Sequence, residues 1–377
     1  MTQRRAEIVG AGFAGLAAAC ALAQRGWRVR VHERAERLRT TGAGIYIYEN
    51  GLRVLEALGA YDEAVRGAPV AHTREVRDDR NRTLALHRWD PSIRVFAIVR
   101  QQVIDALAAA ARRLGAEIVT ASEGVAATPD GEVTFADGAR TRADLVVAAD
   151  GMNSKLRDSL GLLGRRTPLA DGAIRMLIDT TEAERRATDI GKTTEYWSGS
   201  RRVLYTPCSA ERIYVALTML DRDAAARSVP LRRADWKASF PHLAELIDRF
   251  GDDGRYDRFE LIKLKRWSAG RVAVIGDAAH ALPPNIGQGG GCAMMNALSL
   301  AVFCARSADV PAALGAWERK ERALTDHTQR ISHFLGLPTT WPPALRAAFF
   351  TLAGRSKWMT KQRTMTARHV PTGTQAR

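Results

Sequence analysis

A glycine-rich turn near the start of the chain limits the folds available to it more than any other feature. Gly10, Gly12 and Gly15 have the spacing Gly-x-Gly-x-x-Gly and lead into an apolar stretch at Phe13–Arg25. In a strand–turn–helix unit the first glycine makes the turn, the second lets the backbone approach a pyrophosphate, and the third packs helix on strand. The helix N-terminus then faces the phosphates. The pattern predicts the first βαβ unit of a dinucleotide-binding fold.

An acidic residue after the next apolar run narrows the choice of nucleotide. Glu33 closes the run Val29–His32, where a carboxylate accepts hydrogen bonds from a ribose. A negative charge there disfavours a 2′-phosphate, so the motif favours the ADP half of FAD or NAD over NADP. The alternative is a glycine-rich turn that binds no ligand.

Two later strand ends favour FAD over NAD. Asp150 follows the apolar run 145–149 and begins an Asp-Gly-x-x-Ser-x-x-Arg pattern, and Asp277 follows the run 272–276, with prolines and glycines just beyond it. A simple NAD dehydrogenase needs neither feature. An extended FAD needs a carboxylate for its ribitol and backbone laid against its isoalloxazine ring.

With these motifs, the chain resembles the class A, single-component flavoprotein aromatic hydroxylases from about residue 4 to about residue 330. Three further stretches carry the likeness: Gly42–Tyr46 with Asn50–Leu55, then Arg202–Cys208, and then Gly289–Asn296. The second lies in the substrate-facing part, where these enzymes diverge, and is similar to the pyridine-ring oxygenases of the family. The resemblance implies an α/β fold, in which a Rossmann-like FAD-binding domain of the GR2, para-hydroxybenzoate-hydroxylase-like type carries an antiparallel β-sheet substrate domain.

The family organisation divides the chain into three parts. We expect a discontinuous FAD-binding domain at 1–70, 98–170 and 266–330, and a substrate-binding domain at 71–97 and 171–265. A helical, basic tail follows at 331–377, for which a cap on the substrate domain and a role in oligomerisation both stay open, and which we expect to be loose beyond Met365.

The resemblance also implies a reaction. NADH or NADPH reduces the FAD, O2 adds to form a flavin C4a-hydroperoxide, and one oxygen atom enters a hydroxylated aromatic or N-heteroaromatic acid, with ring opening as a further outcome. Two alternatives stay open at this point. One is a flavin dehydrogenase or oxidase that inserts no oxygen, and the other is a non-enzymatic, FAD-bound redox sensor.

Candidate cofactor residues come from the motifs and from family position. Asp277 is expected to hold the ribitol, with a helix N-cap as the alternative, and Arg39 and Arg100 the pyrophosphate or ribityl hydroxyls, unless they are surface arginines. Asp150 is expected to act on the nucleotide region indirectly. The full set is Gly10, Gly12, Phe13, Ala14, Gly15, Glu33, Arg34, Arg39, Gly44, Ile45, Arg100, Asp150, Gly276, Asp277, Gly287, Gly289 and Gly290.

The glycine run Gly287–Gly291 precedes a predicted helix, and that order has a chemical use. Free amides at a positive helix end stabilise the negative charge of reduced flavin by roughly 0.3–2 kcal/mol. The alternative, a flexible loop, leaves the stiffness of Pro283 and Pro284 unexplained, and we assign Pro284 to the catalytic face. His280 is expected to make a structural hydrogen bond rather than act as a base.

The substrate side rests on residue-by-residue likeness to the pyridine-ring oxygenases. Arg202 and Tyr214 match a pocket arginine and tyrosine, so they are candidate catalytic and substrate-binding residues, with ordinary strand positions as the alternative. Arg74 stands where another pocket tyrosine is expected, which makes a more acidic or differently substituted ring plausible. Tyr46 and Tyr205 complete the substrate set.

Composition sets the remaining expectations. The chain has 377 residues, 46% of them apolar, without the long uninterrupted apolar run of a membrane helix or signal sequence. Its four scattered cysteines indicate reduced thiols in a cytoplasm rather than disulfides or a metal site. The net charge of +15 is spread along the sequence, which favours solvated surface charge over nucleic-acid or membrane binding. The sequence leaves open whether the chain forms a homo-oligomer.

Overall fold

The computed structural model describes residues 3–38, 43–186, 190–252 and 254–375. Arg39, a predicted cofactor residue, lies outside them. The strands are β1 (Arg5–Val9), β2 (Arg28–His32), β3 (Gly44–Tyr48), β4 (Thr73–Asp78), β5 (Thr83–Arg88), β6 (Val95–Val99), β7 (Glu117–Val119), β8 (Gly124–Ala127), β9 (Glu132–Phe135), β10 (Arg140–Arg142), β11 (Leu145–Ala148), β12 (Leu163–Asp179), β13 (Lys192–Ser198), β14 (Arg201–Pro207), β15 (Arg212–Leu220), β16 (Tyr256–Leu264), β17 (Ser268–Ala269) and β18 (Val272–Val274).

The helices occupy the two ends of the chain and the crossovers between strands. They are α1 (Phe13–Ala23), α2 (Glu49–Ala57), α3 (Tyr61–Val65), α4 (Arg100–Arg113), α5 (Lys155–Ser159), α6 (Glu182–Arg186), α7 (Arg233–Ser239), α8 (Ala244–Asp248), α9 (Asp277–His280), α10 (Gly289–Ala305), α11 (Val310–Phe334), α12 (Pro343–Arg355) and α13 (Lys357–Arg368). No helix in the described ranges is long and apolar enough to cross a bilayer.

A six-stranded sheet forms the nucleotide-binding half, in the order β17-β18-β11-β1-β2-β7. The pairs from β18 to β7 are parallel. The alanine-rich helix α1 follows β1 and is buried over nearly its whole length, packed against α4 and α10. A helix apolar on all sides needs neighbours on all sides, and this packing places the N-terminus of α1 at the carboxyl ends of the strands.

A seven-stranded sheet, in the order β16-β12-β15-β14-β13-β4-β5, forms the second half. The antiparallel arrangement expected from the sequence holds for every pair except β13 with β4, which is parallel. One face buries the cluster around Trp236 and Phe240 against α7 and α8. The opposite face turns towards the nucleotide half.

The C-terminal segment is packed, so the expectation of a loose end beyond Met365 is wrong for the residues described. Thr366 Oγ1 lies 2.6 Å from Thr328 Oγ1, Ala367 is buried, and the Thr372 hydroxyl donates to Glu321 at 2.8 Å. The backbone carbonyl of Gln375 accepts from an arginine of α2. Basic composition suggested solvent exposure, but hydroxyls and small apolar side chains hold the segment against α2 and α11.

Strand β12 belongs to the seven-stranded sheet over its whole length and runs without interruption from Leu163 to Asp179. It pairs with β16 from Leu163 onward and with β15 from Asp171 onward, with register shifts in between. The predicted boundary at 170 therefore falls inside one strand, and the division into two domains stays a prediction.

Candidate active site

The three glycines of the first turn have different surroundings. Gly10 has a φ of +104°, and a Cβ there would lie 2.2 Å from the Ala149 carbonyl oxygen. A Cβ on Gly15 would lie 1.9 Å from the Gly10 carbonyl oxygen, whereas one on Gly12 would meet no protein atom within 4 Å. The fold itself requires Gly10 and Gly15. Gly12 instead leaves its backbone open to a ligand.

A small cavity of about 200 Å3 lies beside this turn and includes Glu33, Arg34 and Asp150 in its lining. The Glu33 carboxylate accepts from the backbone N–H groups of Ala11 and Ala35, both at 3.0 Å. These bonds fix the carboxylate at the edge of the nucleotide sheet, where a ribose hydroxyl can reach it.

Asp150 is bound to its own loop. Its Oδ1 accepts from Ser154 at 2.5 Å and its Oδ2 from the Leu156 N–H at 3.3 Å. Burial raises the pKa of Asp150, and these hydrogen bonds act against the rise. The position agrees with an indirect role, because the carboxylate shapes the wall of the cavity.

A second cavity, of about 540 Å3, lies between the two halves and shares Gly12 and Gly151 with the first. Its cofactor side carries Asp277, which follows Gly276 at a φ of +63°. Gly276, not Asp277, is the N-cap of α9, and the Asp277 carboxylate makes no hydrogen bond to any residue in the described ranges. Burial raises its pKa, while the positive charges of Arg100 and Arg175 oppose the rise. An unsatisfied carboxylate facing a cavity fits the predicted ligand-binding role.

Arg100, the first residue of α4, faces the same region. Its guanidinium lies over the Phe13 ring, 5.1 Å from the centroid, and burial lowers its pKa while Asp277 acts the other way. Its Nε is buried and has no hydrogen-bond partner among the described residues. Arg100 therefore has donors available to the cofactor.

The glycine loop before α10 forms another wall. Gly287 has a φ of +63°, and a Cβ there would lie 3.1 Å from Tyr48 Cε2. A Cβ on Gly290 would lie 2.9 Å from Ile45 Cδ1, whereas one on Gly289 would meet nothing within 4 Å. Helix α10 begins at Gly289, so its free amides lie at the cavity wall. Pro284 also lines the cavity.

These features fit FAD. Two open-backbone glycines, a fixed ribose carboxylate, an unsatisfied carboxylate and a helix N-terminus lie along two adjoining cavities, which suits an extended dinucleotide with an anionic reduced ring. Phe13, Ala14, Gly44 and Ile45 line the larger cavity. His280 is not among its lining residues: it is buried, its Nε2 lies 3.0 Å from Asn296 Nδ2, and burial lowers its pKa to about 4. His280 is thus a neutral structural residue, as expected.

The inner face of the large sheet brings Arg74, Arg202 and Tyr214, three of the predicted substrate residues, to the wall of the larger cavity. Tyr214 is buried, and burial raises its pKa. A Cβ on Gly44 would lie 2.6 Å from Tyr214 Cβ, so this glycine lets β3 approach β15. Tyr46 also lines the cavity, and its hydroxyl lies 2.8 Å from Thr193 Oγ1 and 2.5 Å from Thr206 Oγ1.

The structure contradicts the predicted substrate-binding role of Tyr205. It follows Leu204, which lines the cavity, and successive side chains of a strand point to opposite faces. The Tyr205 ring packs on the outer cluster, and its hydroxyl donates to Glu184 at 2.8 Å. Arg202 and Tyr205 have an odd spacing on one strand, so both cannot face the substrate, and the assignment of Tyr205 is wrong.

Glu195, Arg175 and Arg363 are among the polar residues of the cavity that the sequence reasoning missed. Glu195 lies on β13 between Arg74 and Arg202. Burial opposes its ionisation, but the charges of these two arginines outweigh burial and hold the pKa of Glu195 below its usual range. The alternation of Thr193, Glu195 and Trp197 along one strand was the sequence pattern that could have placed Glu195 on the inner face. The described residues contain no cluster of three or more His, Cys, Asp or Glu side chains able to hold a metal.

Fold and site together define a flavoprotein monooxygenase. A sequence model of the FAD binding domain family matches residues 4–309, and the chain belongs to that family, within the class A FAD-dependent aromatic hydroxylases. It binds FAD, and reduced pyridine nucleotide is the standard electron donor of the family.

Similar proteins span nearly the whole chain. A putative 2-heptyl-3-hydroxy-4(1H)-quinolone synthase from Rhodococcus erythropolis is 42% identical over 370 residues, covering 98% of this chain and 97% of that protein. A crystal structure of a mutant 2-methyl-3-hydroxypyridine-5-carboxylic acid oxygenase is 38% identical, with a TM-score of 0.87 and 98% of each chain covered. Klebsiella pneumoniae HpxO, in complex with FAD and uric acid, is 25% identical, with a TM-score of 0.82 and 96% of each chain covered.

Proposed function

We propose that this monooxygenase adds one oxygen atom to a ring carbon of an N-heteroaromatic compound that carries an oxo or hydroxy group. One observation carries the proposal: a single cavity joins the FAD-binding walls to the arginine- and tyrosine-bearing face of the large sheet. The names of the three similar proteins support the choice of ring, since a quinolone, a hydroxypyridine and uric acid are all oxygenated N-heterocycles.

The residues of this chain divide the work between cofactor and substrate. Bound FAD supplies the redox chemistry and the activation of O2. Glu33 and Asp277 hold its ribose and ribitol hydroxyls, and the N-terminus of α10 stabilises negative charge on the reduced ring. Tyr214 and Arg202 orient the substrate ring, and nearby positive charge favours the electron-rich, ionised form of its oxygen. The enclosed cavity limits the access of water.

Two kinds of substrate fit this description. Arginines on the inner face favour a ring acid, such as a hydroxypyridine carboxylate, as the sequence predicted. Trp89, Ile93 and Ala367 add apolar surface to the same cavity, which suits an alkyl chain such as that of a 2-alkyl-4(1H)-quinolone. Ring opening after oxygenation belongs to the proposal for the pyridine acids only. NADH and NADPH are both candidate reductants.

The proposal also covers the cellular compartment and the oligomeric state of the enzyme. All four cysteines are free and buried, which is compatible with a reducing cytoplasm. A solved structure of the similar pyridine oxygenase is titled as a tetrameric form, and we propose a homo-oligomer here.

The test is turnover under labelled oxygen. Purified holoenzyme is given NADH or NADPH with 2-heptyl-4(1H)-quinolone, 6-hydroxynicotinate or 3-hydroxypyridine carboxylates, under 18O2. We expect at least one compound to accelerate nucleotide oxidation and to yield a product that retains one label. Accelerated oxidation that gives only peroxide with every compound, or a product without label, would contradict the proposal.

A further inference from the structure

Helix α13 places a cation in the substrate part of the cavity. Arg363, Thr364 and Ala367 all line it, together with Arg74 and Tyr48. The C-terminal segment is therefore a wall of the site.

Arg363 differs from the other arginines of this cavity. Arg74 and Arg202 share Glu195, Arg175 and Arg255 pair with Asp257, and Arg258 pairs with Asp221. Arg100 lies in the cofactor part, beside Asp277. Arg363 makes no hydrogen bond or ion pair with any residue of the described ranges.

The surroundings of Arg363 make its charge costly. Burial and the positive charge of Arg74 lower its pKa to about 10, so the side chain is still a cation near neutral pH. Glu195 is the nearest carboxylate named among its electrostatic partners, and it is already shared by two other guanidiniums. A half-buried cation in this position gains from an anionic ligand.

Helix α13 is also held firmly in place. Ser356 caps its N-terminus by accepting from the Met359 N–H at 3.2 Å, and Arg368 forms an ion pair with Asp90. Thr366 is bonded to α11 and Ala367 is buried. Because the helix is anchored on both sides of Arg363, the backbone that carries this side chain is fixed before any ligand arrives, and only the side chain remains to be ordered on binding.

We propose that Arg363 binds an anionic oxygen of the substrate, so that the C-terminal helix takes part in choosing the substrate. This inference rests on the proposed function for the class of ring. Two sources supply the same chemistry: a ring carboxylate, or a ring oxygen that is ionised in the bound state. Thr364 lines the same wall, but its hydroxyl already donates to the Thr360 carbonyl at 2.9 Å, so Arg363 is the donor that this helix offers to an anion.

The experiment compares Arg363→Gln with Lys361→Gln in the FAD-bound enzyme. Lys361 is exposed on the same helix and does not line the cavity, so its replacement removes one positive charge without touching the site. Kd is measured from the change in flavin absorbance on titration with a hydroxypyridine carboxylate, the same hydroxypyridine without the carboxylate, and 2-heptyl-4(1H)-quinolone. FAD content and Tm verify that each variant is folded and loaded.

If the carboxylate is the anion, Arg363→Gln raises the Kd of the ring acid by about tenfold or more and the Kd of the two other compounds by less than about twofold. If an ionised ring oxygen is the anion, all three weaken, and the loss grows as the pH approaches the pKa of the ring hydroxyl. Lys361→Gln leaves every Kd within about twofold. Unchanged binding of all three compounds to a folded, FAD-loaded Arg363→Gln protein overturns the inference. Because binding is measured without turnover, failure of the proposed oxygenation would show separately, as the absence of labelled product in the wild type.

Discussion

Arg74 of β4 donates from its Nε to Glu195 Oε2 at 3.1 Å, across two strands that run parallel. Arg202 of β14 reaches the other carboxylate oxygen of Glu195 at 3.4 Å. One buried carboxylate thus holds guanidiniums from both neighbouring strands and sets their positions on the substrate face. Arg202 also lies 3.9 Å from Asp171 Oδ2, and its buried Nε has no hydrogen-bond partner among the described residues.

Replacement of Glu195 should destabilise the protein. In Glu195→Gln the two guanidiniums lose their shared counter-charge, and we expect the free energy of unfolding to fall by about 3 kcal/mol. Glu117→Gln, which breaks a half-exposed pair with Arg30, should cost at most about 1 kcal/mol. Urea unfolding of both variants checks this. Because the folded pKa of Glu195 lies below its usual 4.5, its contribution is present above that pH and is lost as the pH falls, so the difference between wild type and Glu195→Gln should shrink in acid.

The glycines of the first turn should separate folding from cofactor binding. Gly10→Ala puts a Cβ against a backbone oxygen at a positive φ, and should cost about 3 kcal/mol or more in stability. Gly12 has a φ of −82°, which alanine adopts readily, and open space around it. Gly12→Ala should keep the stability of the cofactor-free protein within about 1 kcal/mol and lose FAD affinity by about tenfold or more. Equal loss of stability in both variants would contradict this division.

Asp277 should decide FAD occupancy. The purified protein is expected to be yellow, with about one noncovalent FAD per chain, and Asp277→Ala should lose most of it because a ligand-facing carboxylate is removed. Asp309→Ala is the control, since Asp309 caps α11 by accepting from the Ala312 N–H and its loss should affect stability but not flavin content. The ratio of flavin to protein absorbance measures both. If the Asp277→Ala protein still contained one FAD per chain, Asp277 would have a structural role and not a cofactor-binding one.

Glu33→Ala should weaken FAD through the adenosine ribose. A hydrogen bond to a charged group contributes about 1.5–3 kcal/mol, which corresponds to roughly a tenfold to hundredfold loss of affinity. The chemistry of any flavin that stays bound should be unchanged, because Glu33 lies in the smaller cavity. Titration of the cofactor-free protein gives the affinity, and rapid reduction of the loaded protein gives the chemistry. Unaltered affinity would show that this carboxylate serves only the turn.

Arg202 and Tyr214 should affect different steps. Arg202→Ala is expected to raise the KM of an anionic substrate by about thirtyfold or more, whereas Tyr214→Phe should mainly disturb ring orientation and release peroxide in place of product. The measurement compares NADH consumed, product formed and peroxide released in wild type and both variants. Normal affinity with full coupling in both would remove these residues from the site and leave Arg74 and Tyr46 as the remaining sequence-predicted candidates.

The local parts of the structure were the predictable ones. The turn at Gly10, the strand ends at Asp150 and Asp277, and the helix after Gly287 all depend on short spacing patterns with strong steric causes. Glu195 was missed because its role depends on the register of β13 against β4, two strands far apart in sequence. Arg363 was missed because nothing local indicates where α13 packs, and Tyr205 was misplaced because the period of two along β14 was not applied.

The uninterrupted course of β12 has a consequence for protein engineering. A truncated protein that ended at 170, or one that began at 171, would cut a strand paired with both β15 and β16 and expose unpaired edges, which favour aggregation. Chimaeras that exchange the large sheet between relatives would need junctions outside 163–179 and 256–264. Under the proposed role of Arg363, a chimaera designed to transfer substrate preference would also carry the donor's C-terminal helix.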